Sequence, residues 1–186
     1  LALIGSVLSG ALSIAREREE GTFDQLLVAP YTPREILLGK GISTVITSIM
    51  QTFFIVLVAM FWFRIPFQGS IWLLSGAILL FIITGAAIGL CISSFSQSLQ
   101  QAIVGTFLLV VPTVMLSGFA TPISSMPEFF QDLTLLNPMR YGLELIQRIF
   151  LEGAGFMDLW PLFGAITLVT IGTAAAAIFS FHRKIS

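Results

Sequence analysis

Residues 65–127 read IPFQGSIWLLSGAILLFIITGAAIGLCISSFSQSLQQAIVGTFLLVVPTVMLSGFATPISSMP, sixty-three consecutive positions without an Asp, Glu, Lys, Arg or His. One membrane-crossing helix needs about 20 apolar residues, so this run is long enough for two. Shorter charge-free stretches lie at Gly41–Phe63 and Leu159–Phe181. The chain as a whole is 56% hydrophobic and 10% charged, with a mean hydropathy of +0.96. Soluble domains carry roughly 25% charged residues, so this composition belongs in lipid. A net charge of −1 gives no reason to expect nucleic-acid binding.

Working outward from this stretch, five crossings are expected. They are a partial one at 1–15, then 41–63, 71–95, 99–117 and 159–181. Backbone groups in hydrocarbon must bond internally, so each should be helical. The first residue is Leu1, and only about 15 apolar residues precede Arg16. The chain is therefore expected to begin inside a helix, with an upstream part missing. Basic residues set orientation. The 16–40 segment holds Arg16, Arg18, Arg34 and Lys40, and the 182–186 tail holds Arg183 and Lys184. An even number of crossings separates these segments, so they share the side richer in basic residues and should be cytoplasmic. The 118–158 segment, with Arg140, Arg148 and five acids, should be external.

The 16–40 segment carries the densest local signals. Arg16-Glu17-Arg18-Glu19-Glu20 continues the first helix, and Gly21 can end it. Thr22 and Gln25 fit a capping box, with Asp24 favourable in the first turn. A short helix over Phe23–Ala29 would present Phe23, Leu26 and Leu27, and Pro30 would stop it. Thr32-Pro33-Arg34-Glu35 is a second capping signature, with Pro33 at the first helical position and Tyr31 and Ile36 as its hydrophobic staple. The geometry is helix, short transverse helix, helix. It reads either as a well-capped elbow or as a docking knob that passes a partner's movement into two crossings.

The external segment has its own pattern. Ser125 and Glu128 have capping-box spacing, and Met126, Phe129, Phe130 and Leu133 recur at helical intervals. Asn137 can cap a helix that Pro138 opens, and Gly153 can end it. Along that helix Arg140, Glu144, Arg148 and Glu152 fall four apart with alternating sign. The ladder either solvates one helix face or forms part of an exit gate. Both halves are too short and polar to cross alone, which suits two amphipathic helices at the membrane surface.

Other features are quieter. Gly85 and Gly89 form a small-xxx-small pattern that lets helices approach, within one subunit or at a dimer seam. Pro112 should kink the fourth crossing. One Cys, Cys91, and one His, His182, cannot form a disulfide framework or a zinc site within the chain. An ion-coupled secondary transporter would place ionisable residues inside its crossings, and none lies there. An intramembrane enzyme would need a buried nucleophile with a base, while all ten acids lie in loops. The absence of ionisable residues from the crossings weakens the ion-coupled transporter, which stays as one alternative beside a non-transporting membrane assembly partner.

The run Arg16-Glu17-Arg18-Glu19-Glu20-Gly21-Thr22-Phe23-Asp24-Gln25-Leu26-Leu27, followed by Ala29-Pro30, Thr32-Pro33 and Leu38-Gly39-Lys40, resembles the cytoplasmic signature of ABC-2-type export permeases. Leu116-Ser117-Gly118 with Pro122, Leu136-Asn137-Pro138 with Tyr141, and Arg148-Ile149-Phe150-Leu151-Glu152-Gly153 also look like that family. The resemblance covers nearly the whole chain in the family's order, and the likeness is nearest to multidrug-type bacterial permeases. It implies a helical permease bundle in a bacterial inner membrane, with Arg16–Leu26, Pro30 and Pro33 coupling to a cytoplasmic ATPase. It also implies a re-entrant external pair whose Asn137, Pro138, Arg140, Tyr141, Glu144 and Arg148 are candidate gate residues. A second permease copy, identical or different, is implied, and a periplasmic adaptor is a further expected partner beside membrane lipid. No Gly-x-x-x-x-Gly-Lys-Ser/Thr motif occurs in this sequence, so ATP and Mg are expected in the partner ATPase.

Overall fold

The computed structural model describes residues 1–22, 32–64, 68–119 and 121–185. Among them all regular structure is helical. Seven α-helices follow in order: α1 (Ala2–Glu19), α2 (Pro33–Phe61), α3 (Ile71–Phe95), α4 (Leu99–Met115), α5 (Glu128–Leu133), α6 (Pro138–Glu152) and α7 (Phe156–Ile185). Short 3₁₀ turns at Ile123–Ser125 and Thr134–Leu136 flank α5. The transverse helix expected over Phe23–Ala29 and the staple residue Tyr31 lie outside the described residues. So do the side chains of Pro33, Arg34, His182, Arg183 and Lys184.

Among the described residues three helices are long and apolar enough to cross a membrane by length and composition: Glu35–Phe61 of α2, Ile71–Phe95, and Phe156–Ser180 of α7. The other two expected crossings are shorter helices, 18 residues in α1 and 17 in α4. The outer surface of the bundle is apolar. Phe53, Phe54, Phe61, Leu108, Leu168 and Phe179 are all exposed. Each such side chain left in water forgoes roughly 1.5–3 kcal/mol. Contact with hydrocarbon removes that penalty.

The core forms around α3, which packs most extensively against α1 and next against α7. Glycine makes the α1–α3 approach possible. A Cβ on Gly85 would sit 1.9 Å from Ser6 Oγ, and one on Gly89 would sit 2.3 Å from the Val7 carbonyl and 2.9 Å from Gly10 Cα. The small-xxx-small pattern is therefore consumed inside the chain. Two rows of contacts run parallel: Ser6 meets Gly85, Gly10 meets Gly89, and the backbone N–H groups of Ile14 and Ala15 donate to Ser93 Oγ at 3.1 and 3.0 Å. On the other side of α3, Thr84 and Thr170 hydroxyls meet at 2.5 Å, and Ile166 is fully buried. Cys91 lies in the same seam, its sulfur 4.0 Å from Ser180 Oγ. Against α1, α2 runs antiparallel, with Gln51 beside Gly5 and Lys40 beside Glu17.

At the end of the bundle where α3 starts, α6 closes the core with Met139, Gly142, Leu145, Ile149 and Phe150, a buried face at helical spacing. Gly142 is needed there, because a Cβ would press into the Phe81 ring at 2.3 Å. The Gln68–Ser70 link crosses the end of α6, where Gln68 N–H donates to the Phe150 carbonyl at 3.2 Å.

Two local expectations need correction. Ser125 does not cap α5. It lies in a 3₁₀ turn, Pro127 takes the N-cap position, and no side chain caps that helix. Met126 precedes a proline and is held extended (φ −87°, ψ 151°), so the helix cannot start before Pro127. The last helix starts at Phe156, three residues earlier than expected, with Asp158 in its first turn. An acid there complements the positive end of the helix.

Candidate functional site

The charged signature at the end of α1 is built into a junction of four helices. Gly21 (φ +72°) closes α1 in the left-handed conformation. Its N–H donates to the Arg18 carbonyl at 3.3 Å, and Thr22 N–H donates to the Glu17 carbonyl at 3.0 Å. This pair of bonds is the Schellman stop that the glycine permits. The Thr22 hydroxyl turns back to the same Glu17 carbonyl. Its expected partner Gln25 lies outside the described residues. The side chains then divide by direction. Glu17 pairs with Lys40 on α2, both partly buried. Arg18 donates to the Ser94 carbonyl at 3.2 Å and the Ser96 carbonyl at 2.9 Å, covering the free carbonyls that end α3. Glu19 Oε2 accepts from the Leu99 N–H at 2.6 Å, at the first turn of α4, where a carboxylate also suits the helix dipole. Ser98 adds a cap on the Gln101 N–H. Partial burial pulls the Arg18 guanidinium below its ordinary range, and a guanidinium stays charged in proteins even so.

Of the residues read as coupling positions, Glu17, Arg18 and Glu19 thus hold α2, the α3–α4 turn and α4 to α1. Arg16 and Glu20 remain exposed. Thr32 and Glu35 form the expected reciprocal capping box at the start of α2, with Pro33 at its first position. Phe23, Asp24, Gln25, Leu26 and Pro30 lie outside the described residues.

Beside this junction a cleft of about 490 Å³ opens between α1 and α2, lined by Ser9, Ser13, Arg16, Glu20, Ser43 and Thr47 among others. Its polar row continues inward along α2. Ser48 and Thr52 are buried with no hydrogen-bond partner among the described residues. Reading charge alone missed this seam. The signal was present as Lys40, Thr44, Thr47, Ser48, Gln51 and Thr52, which share one helix face at three- and four-residue spacing.

At the far end, the candidate gate residues fall into two groups. Asn137 is buried and used twice. Its Oδ1 accepts from the Met139 N–H at 2.9 Å, capping α6, and its Nδ2 donates to the Thr113 carbonyl of α4 at 2.7 Å. Pro138 opens α6. The Tyr141 hydroxyl donates to the Leu135 carbonyl at 2.7 Å. Arg140 departs from the expected four-residue ladder. It turns back onto the Thr134 hydroxyl, and this folds the 134–136 turn against α6. The ladder is reduced to Arg148, which lies 3.8 Å from Glu144 and 3.4 Å from Glu152 on an exposed face. Exposed pairs of this kind contribute about 0.3–0.5 kcal/mol.

Comparison with known proteins follows the same segments. The family profile described as "ABC-2 type transporter" matches residues 1–151. The Escherichia coli (strain K12) protein "Probable multidrug ABC transporter permease YbhR" is 35% identical over 182 residues, covering 98% of this chain and 50% of that protein. "Inner membrane transport permease YhhJ" of the same strain is 34% identical over 188 residues, 100% of this chain and 50% of its own length. "Linearmycin resistance permease protein LnrN" of Bacillus subtilis (strain 168) is 26% identical over 173 residues, covering 93% and 45%. The chain spans about half the length of the curated relatives it matches. With an all-helical bundle, apolar outer faces and this match over most of its residues, the chain belongs to the ABC-2 type transporter family.

Proposed function

We propose that this chain is the membrane-embedded part of an exporter permease worked by a separate cytoplasmic ATPase. The observation that carries this reading is the junction at the end of α1, in a member of this family. Glu17, Arg18 and Glu19 tie α1 to α2, to the end of α3 and to the start of α4. A push on the 16–40 elbow therefore reaches four helices at once. Five crossings then alternate in direction, consistent with the parallel contacts of α1 with α3 and the antiparallel contact of α1 with α2. The elbow and tail face the cytoplasm, and α5 and α6 lie at the external surface as a re-entrant pair.

In the mechanism, ATP and Mg bind to two partner ATPase subunits and draw them together. The segment around Phe23 sits in the ATPase, and the junction converts its displacement into movement of α1, α2 and α4. A pathway between two permease copies opens outward, and hydrolysis resets it. No group in this chain performs the hydrolysis. Relatives carry multidrug permease and inner membrane transport permease in their names, which supports small-molecule efflux across a bacterial inner membrane as the proposal for this chain; a periplasmic adaptor is a further proposed partner.

The test uses the full-length permease with its ATPase. Gly21→Pro cannot keep the left-handed φ that ends α1, and Phe23→Asp replaces the aromatic of the family signature with a charge, which an apolar docking contact would not accept. Both variants should insert normally, and nucleotide hydrolysis should proceed without transport. Normal export by both would overturn the elbow's role, as would labelling of residues 17–33 from outside intact cells.

A further inference from the structure

We propose that Glu19 and Asn137 are positioning residues that make α4 a rigid link between the elbow end of the bundle and the α5–α6 pair at the other. This rests on the coupling reading above and adds the route by which movement crosses the molecule.

Both ends of α4 are held by side chains from elsewhere in the chain. At its first turn, Glu19 Oε2 takes the Leu99 N–H at 2.6 Å. At its last turn, Asn137 Nδ2 donates to the Thr113 carbonyl at 2.7 Å. Each grips a backbone group that a helix end leaves unpaired, so each bond is to the helix axis and not to a mobile side chain. Between these grips α4 is a single 17-residue helix, about 25 Å long at 1.5 Å per residue. Its flanks are lightly engaged. Ala102, Thr106 and Val110 are buried, and Val104, Phe107, Leu108 and Val111 are exposed. A helix packed on one narrow stripe can shift as a body. Pro112 lies inside α4 and removes one internal hydrogen bond near the far end, but the helix runs unbroken through it to Met115, so the remaining bonds hold its length.

An apolar cavity of about 290 Å³ separates Leu109, Pro112 and Leu116 of α4 and its end from Leu133 and Leu136 of the segment leading into α6, with Leu3 of α1, Ile88 of α3 and Val169 of α7 also on its walls. Packing across that cavity is thin, so the Asn137 bond carries the connection. Asn137 also caps α6 through Oδ1. A displacement of the Thr113 carbonyl is therefore delivered to the first turn of α6.

The variants separate the two jobs of Asn137. Asn137→Asp keeps an oxygen to cap α6 and sets a second acceptor against the Thr113 carbonyl, breaking the link alone. Glu19→Ala removes the near grip, and Glu19→Gln keeps an oxygen for the Leu99 N–H. In the full-length permease–ATPase complex with Cys91→Ser, spin labels would be placed in two pairs. Leu38→Cys with Phe179→Cys reports on the elbow end, and Phe129→Cys with Trp72→Cys reports on the far end, all four positions being exposed. Labelled copies are diluted with unlabelled ones, and dipolar distances are compared without nucleotide and in the trapped ATP state. Without further substitution, both distances should shift. In Asn137→Asp and in Glu19→Ala the elbow-end shift should persist and the far-end shift should be lost, and Glu19→Gln should restore it. A far-end shift that survives both Asn137→Asp and Glu19→Ala overturns the link. A response at neither pair in the otherwise unsubstituted complex removes the coupling reading, and this one with it.

Discussion

Arg18 and Glu19 are neighbours in sequence that do opposite jobs. The cation covers carbonyls at the end of α3, and the anion covers an amide at the start of α4. Charge sign and helix polarity agree in both cases. Replacing Arg18 with Ala would leave the Ser94 and Ser96 carbonyls with one donor fewer, at a cost of about 1–3 kcal/mol. Replacement by Lys should recover only part, since one ammonium lacks the planar fork of a guanidinium. Thermal unfolding of the detergent-solubilised protein reads both, and equal midpoints for Arg18→Ala and the parent would refute the assignment. Glu144 gives the contrast. Its bond to Arg148 is long and exposed, so Glu144→Gln should move stability by less than about 0.5 kcal/mol, within the scatter of the same measurement. If Glu144→Lys also transports at the parental rate, only the solvating role remains.

At the scale of elements, the contact that organises the bundle is α1 against α3. The glycines there cannot be exchanged cheaply, because the atoms a Cβ would meet include backbone. Gly89→Leu would drive its side chain into the Val7 carbonyl and Gly10 Cα. Overpacking of this kind costs about 1–3 kcal/mol or more. The predicted result is a lowered unfolding midpoint, or failure to accumulate in the membrane. Gly76→Ala is the control, since a Cβ there meets nothing within 4 Å. A midpoint for Gly89→Leu equal to that control would contradict the packing. The helices themselves were legible from the sequence. Apolar length placed α3 without error, Thr32 and Glu35 marked the start of α2, and Asn137-Pro138 and Gly153 marked both ends of α6. Ser125 misled because capping-box spacing says nothing of the proline between its two members. Arg140 misled because four-residue spacing names available partners, and Thr134 is reachable only once the 134–136 turn has folded back.

For the whole molecule, composition and hydropathy dictate burial in lipid. Sixty-three residues without charge cannot be solvated as loops, and a bundle with Phe53, Leu108 and Phe179 outward is at ease only in hydrocarbon. What the sequence determined by itself was local or compositional: which segments are helical, where caps and glycine stops fall, and that charge gathers at the ends. Those outcomes depend on neighbours within a turn or two, so their physics is written in spacing. Tertiary structure alone decided which distant groups meet. It chose that Glu17, Arg18 and Glu19 grip α2, α3 and α4, that the glycine face serves α1 inside the chain, and that Asn137 reaches Thr113. Each of those pairings joins residues 23 to 82 positions apart, and no periodicity encodes them. Parallel packing of α1 on α3 brings the end of one helix to the end of the next, where unpaired backbone groups require partners.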